Sequence, residues 1–150
     1  MEKNDNSLTN FEILDILKKY NLKINGVYSK DKLPDKLQIG FYIINLQSSY
    51  EGNKQGTHWT VFYFNYKLSV YFDSYGYIPP LEIDRKLKPY VYNNRDIQSY
   101  NSSSCGYFCI AFIKYMYNST DVFQSYNIFE TLFSNNTENN DKILFNILKN

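Results

Sequence analysis

The chain is poor in the residues that most often build metal and cofactor sites. Its 150 residues include one histidine, His58, one tryptophan, Trp59, and two cysteines, Cys105 and Cys109. A single imidazole excludes a two-histidine metal site within one chain, and a disulfide framework needs more cysteines at wider spacing. Cys105 and Cys109 stand four positions apart. On a helix that spacing shares a face, but a bridge there would distort the backbone, so both thiols are expected reduced. Neither sign of charge dominates: 16 Lys and Arg against 15 Asp and Glu leave a formal net charge of +1. A protein whose main task is coating nucleic acid usually carries a large positive excess. No apolar run approaches the roughly 20 residues of a membrane span. The segment MEKNDNSLTN has no apolar h-region, so no secretory signal and no membrane role are expected.

What is abundant points to a folded domain. Hydrophobic residues make up 43% and aromatics 19%, with 16 tyrosines, which argues against intrinsic disorder. At this length a single domain spanning 1–150 is expected, burying roughly 70% of its unfolded surface without metal or disulfide staples.

The pattern along the chain is helix, strand block, helices, which is an α+β order. Residues 9–20 repeat apolar side chains at helical spacing, with Thr9 and Glu12 forming a capping box and Lys18 and Lys19 in the last turn. Residues 27–37 read as irregular, broken by Pro34. Residues 39–46 read as a buried strand and 47–57 as a polar loop. Residues 58–64 and 69–73 read as strands joined by a tight hairpin at Asn65–Lys67. A short helix after Pro80, one or two strands within 90–97, and helices near 121–133 and 140–149 complete the reading. Residues 105–117 are apolar on nearly every face, which predicts a buried central helix.

Four residues carry candidate chemistry. His58 opens one strand and Asp73 ends the next, so a hairpin can place them as cross-strand neighbours. A carboxylate behind an imidazole fixes its tautomer and stabilises the imidazolium. Cys105 sits at a helix N-terminus, where the dipole favours thiolate, and His58 would complete the ion pair. Gly106 leaves space for a substrate carbonyl. The Cys105 N–H and the Gln98 amide are candidate oxyanion donors. Each has a structural reading too: His58 as packing beside Trp59, Asp73 as a turn residue, Cys105 and Cys109 as small core residues. Zinc on Cys105, Cys109, His58 and Asp73 matches no common ligand spacing, so no metal or other cofactor is expected.

Gly56-Thr57-His58-Trp59, the run Val70 to Gly76, and Gln98 through Cys109 resemble the adenovirus-type maturation proteases. These belong to the SUMO/ubiquitin-like-protein protease group, with similar enzymes in virophages and large virus-like transposons. The order His, acid, Gln, Cys is that group's order. The N-terminal helix, the segment Gly26 to Pro34 and Ile43-Ile44-Asn45-Leu46 extend the likeness over roughly residues 8–117. The resemblance implies a papain-like cysteine-protease architecture in circularly permuted order, with a mostly antiparallel sheet against the Cys-bearing helix.

It implies Cys105 as nucleophile, His58 as general base, Asp73 as its orienting acid and Gln98 at the oxyanion. Trp59, Gly56, Asn45 and Gly106 would line the substrate channel. The implied substrates are capsid or other virion precursor proteins, cut after small or glycine residues in the virion or a cytoplasmic virus factory. A deconjugase of ubiquitin-like modifiers and an inactive peptide-binding module are the alternatives.

The adenovirus enzymes are activated by DNA and by a disulfide-held peptide, and this chain has no cysteine to spare for such a tether. Any peptide or DNA activator would bind non-covalently. Purified protein is therefore expected to cleave substrate under reducing conditions with no linked peptide, measured by fluorogenic peptide turnover. Turnover appearing only after disulfide attachment of a peptide would contradict this.

Overall fold

Five strands lie in one sheet in the order β1-β2-β3-β4-β5, so chain order and spatial order coincide. They are β1 (Gly26–Ser29), β2 (Gly40–Asn45), β3 (Trp59–Phe64), β4 (Ser69–Phe72) and β5 (Tyr90–Tyr92). The computed structural model describes residues 6–48 and 58–149. The three central strands pair antiparallel, while β1 joins β2 and β5 joins β4 in parallel. The helices are α1 (Asn10–Lys19), α2 (Leu81–Leu87), α3 (Cys105–Met116), α4 (Val122–Thr131) and α5 (Asn140–Lys149).

Both faces of the sheet are covered, which is why its strands read as nearly unbroken apolar runs. One alternating set, including Phe41, Ile43, Trp59, Val61, Val70 and Phe72, packs with residues of α1, α3, α4 and α5. The other set, Tyr42, Ile44, Phe62, Phe64 and Tyr71, packs with Leu33, Leu37 and the α2 residues Ile83 and Leu87. α3 is enclosed between the sheet and the other helices, and this accounts for its lack of a polar face. Phe112 at its centre stacks on Phe72 at 5.5 Å and meets Phe129 edge-on at 5.9 Å. The expected capping box opens α1: Thr9 Oγ1 accepts from Glu12 N at 3.1 Å, and Glu12 Oε1 accepts from Thr9 N at 2.9 Å.

Two local expectations are corrected. Residues 26–29 are not irregular; they form β1, held by pairing with β2 (Val27 opposite Ile43) rather than by a continuous apolar run of their own. Within 90–97, where one or two strands were expected, there is one, β5, in keeping with that reading. The β3–β4 turn is longer than a tight hairpin: Asn65 Oδ1 accepts from Lys67 N at 2.9 Å, and Ser69 Oγ accepts from Asn65 N at 3.1 Å. The resulting register pairs Val61 with Phe72. Asp73 therefore comes opposite Thr60, with His58 on the diagonal. A two-residue slip preserves the side-chain phase, so the pair still meets.

Phe112→Ala should cost about 3–5 kcal/mol of stability, because the vacated ring volume cannot close between sheet and helices. Phe11→Ala, at a ring 73% exposed, should stay within about 0.5 kcal/mol. Denaturant melts of the two variants check the placement, and equal midpoints would contradict it.

Candidate active site

The site forms where β3 begins and β4 ends. The β2–β3 ladder runs one bond past the strand, with Leu46 N donating to His58 O at 2.9 Å, and this holds the His58 backbone. Asp73 follows the last residue of β4. The buried Asn93 side chain takes the place of a neighbouring strand there. Its Oδ1 accepts from Asp73 N at 3.1 Å and its Nδ2 donates to Asp73 O at 2.6 Å. The chain then turns sharply: Asp73 Oδ1 accepts from Tyr75 N at 2.8 Å. Gly76 completes the turn with φ +81, where an added Cβ would lie 2.4 Å from Arg95 O, so glycine is required.

His58 Nε2 lies 2.6 Å from Asp73 Oδ1. Asp73 has no solvent exposure, and its Oδ2 has no hydrogen-bond partner among the described residues. Cys105 lies close enough to the ring to act on its charge. With Nε2 committed to the carboxylate, Nδ1 is the other ring nitrogen. Burial works against a charged ring, but the hydrogen bonds and negative charges of Asp73 and Cys105 outweigh it and push the His58 pKa from 6.5 up to about 9. The imidazole is therefore charged at neutral pH. Tyr75 lies against it at 4.6 Å between ring centroids.

Cys105 is the first residue of α3 and is 8% exposed. Its backbone N–H belongs to the helix's first turn and has no intrahelical acceptor, and the dipole there favours an anion. Cys109, one turn on, is a core residue whose thiol burial pushes well above the ordinary value.

Gln98 is buried and tied to both sides of the site. Its backbone N–H donates to Ser74 O at 2.8 Å, and its Oε1 accepts from Ser74 Oγ at 2.5 Å. Its Nε2 donates to Ser102 O at 2.9 Å and to Ser102 Oγ at 3.3 Å. The amide nitrogen thus faces the loop that leads into Cys105.

The expected channel residues sit differently. Trp59 is only 4% exposed, packs in the same core cluster as Cys105, and donates Nε1–H to Leu8 O at 2.9 Å. Neighbours along a strand face opposite sides, so this ring is core rather than an open channel wall. The space above Gly106 is also filled: an added Cβ would meet Leu8 Cδ1 at 3.1 Å. In this structure the chain's own leucine stands where a substrate carbonyl was expected. Asn45 ends β2 opposite Trp59, and its Oδ1 accepts from Gln47 N at 2.9 Å. Gly56 lies outside the described residues.

Several contributors carry no local sequence signal. Asn93 and Ser74 act only through contacts made by the fold. Asp141 of α5 accepts from the Ser102 and Ser104 hydroxyls, reaching 2.8 Å at the shortest.

No family model and no curated protein sequence matches the chain. Among solved structures it is similar to the ASFV pS273R protease, crystallised with selenomethionine, with a TM-score of 0.51 at 14% identity. The fold is that of a papain-like cysteine protease. The alignment covers 81% of this chain and 62% of the other, so this chain spans under two thirds of the neighbour's length. The expected α+β architecture is thus found, in the fold of the pS273R protease. The narrower likeness to the adenovirus enzymes stays one of sequence motifs.

A raised imidazole pKa is also a statement about stability. The folded value lies above the unfolded one, so His58 contributes fully below about pH 6.5 and loses that contribution as pH rises through about 9. The amount is on the order of 3 kcal/mol. Thermal melts from pH 6 to 9.5 should fall more steeply for wild type than for Asp73→Asn. Parallel curves would contradict the pairing.

Proposed function

We propose that the chain is a cysteine endopeptidase that processes virion precursor proteins. The observation that carries the reading is the His58–Asp73 contact at 2.6 Å, with Cys105, at the start of α3, near enough to act on the same ring. The Cys105 sulfur attacks the scissile carbonyl carbon as a thiolate. The developing oxyanion is met by the Cys105 N–H and by an Nε2–H of Gln98. The His58 Nδ1–H protonates the departing amine, leaving an acyl-enzyme thioester. The neutral ring then takes a proton from water, whose oxygen attacks the thioester and releases the acid. Asp73 holds the ring in the required orientation through both steps.

Support for a viral setting comes from the ASFV protease fold and from the motif resemblance. Substrates with small residues or glycine before the cut, in the virion or an infected cell's virus factory, follow from that resemblance. Asn45 and Gly56 remain the proposed flank of the substrate channel.

Wild-type and Cys105→Ala proteins incubated with capsid precursors of the same genome, followed by mass spectrometry of fragments, test the reading. Cys105→Ala should lose roughly 10³-fold or more in rate. Full cleavage by that variant would falsify the assignment. Iodoacetamide should label Cys105 rapidly below pH 7 while Cys109 stays unlabelled; equal sluggishness at both would favour the inactive module.

A further inference from the structure

Both oxygens of Asp141, in the first turn of α5, are directed at the stretch Ser102–Ser104 that immediately precedes the nucleophile. A serine hydroxyl has one proton and two lone pairs. The Ser102 proton goes to the carboxylate, at 2.8 Å and 3.0 Å from its two oxygens. Ser102 Oγ is thereby held as an acceptor, and it receives Gln98 Nε2 at 3.3 Å and Ser104 N at 3.1 Å. Ser104 Oγ repeats the logic: it donates to Asp141 Oδ2 at 3.0 Å and accepts from Asn6 Nδ2 at 3.1 Å. At the far end of Gln98, Ser74 Oγ donates to Oε1. Two groups that can only accept set the directions along this chain: the Asp141 carboxylate and the Ser102 carbonyl, which receives Gln98 Nε2 at 2.9 Å.

From this we infer that Asp141 is a positioning residue for the oxyanion donor. It anchors the Ser102–Ser104 stretch, and that stretch carries both acceptors of the Gln98 amide, Ser102 O at 2.9 Å and Ser102 Oγ at 3.3 Å. Without the carboxylate the stretch loses its tie to α5, and the amide N–H groups are no longer held in place beside the Cys105 loop. α5 thus contributes to catalysis although it carries no group that touches substrate. The inference rests on the protease reading for its catalytic consequence but not for the hydrogen-bond relay itself.

The test uses full-length Asp141→Ala, Gln98→Ala and the double variant. Asp141→Ala should lower kcat about 10- to 100-fold with KM within two-fold. It should weaken a peptide-aldehyde inhibitor, whose adduct needs the oxyanion site, by a similar factor. Alkylation of Cys105 by iodoacetamide, which needs only the thiolate, should change less than two-fold. In the Gln98→Ala background, Asp141→Ala should add no further loss.

Unchanged kcat in Asp141→Ala, full additivity in the double variant, or an equal loss of alkylation would overturn the inference. If Asp141→Ala does not fold, Asp141→Asn serves: it keeps one acceptor oxygen, and a smaller kcat loss at unchanged KM is expected, with no loss overturning it. A readout independent of activity is proton exchange of the Gln98 side-chain amide by NMR. It should be slow in wild type and at least ten-fold faster in Asp141→Ala; equal exchange would overturn the relay. A wild-type protein that cleaves nothing yet shows this exchange difference would sink the protease reading and leave the relay standing.

Discussion

A carboxylate with no access to water is costly unless something compensates its charge, and here that something is His58. Asp73 is sealed at the end of β4, and one of its oxygens finds only the imidazole and a turn N–H. The demand runs in both directions. The buried carboxylate keeps a proton on the ring, and the charged ring makes the burial tolerable. The ladder that holds the His58 backbone, the Asn93 amide that closes the end of β4, and the Gly76 turn all serve to bring these two groups into contact. Cys105 comes near the same ring as the first residue of α3, carried by the apolar packing of that helix.

The division of labour follows the chemistry of each element. The sheet and α3 are built from side chains that exclude water, and they set positions to within a hydrogen bond. The loops at the strand ends carry polar groups that satisfy one another: Ser74 with Gln98, Gln98 with Ser102, Ser102 with Asp141. The N-terminal segment takes part as well. Asn6 N donates to Ser103 Oγ at 2.7 Å, and Leu8 covers Gly106 and accepts from Trp59. Segments near both ends of the described chain therefore brace the few residues around the sulfur.

Much of this was legible in the sequence, for identifiable reasons. α1, β2, β3 and α3 carry periodic or continuous apolar patterns long enough to name their structure, and Thr9 with Glu12 marks a boundary. His58, Asp73 and Cys105 stood out because such residues are few and fell at element ends. β1 was missed because four half-buried residues take their strand geometry from β2 rather than from their own composition. The diagonal offset of His58 and Asp73 was missed because the hairpin length depends on Asn65 and Ser69 side-chain bonds. The core roles of Trp59 and Gly106 depend on Leu8, some fifty or more positions away, and Asp141 lies 37 and 39 positions from the serines it holds. No local pattern encodes such contacts.

His58 is the chain's only histidine, so its ring signals in an NMR titration belong to one group without assignment by mutation. Following those signals from pH 5 to 10.5 tests directly whether a buried carboxylate and a sulfur hold the proton on the imidazole. A midpoint near pH 9 is the result expected. A midpoint near the ordinary 6.5 would show a ring with neither partner and would contradict the account.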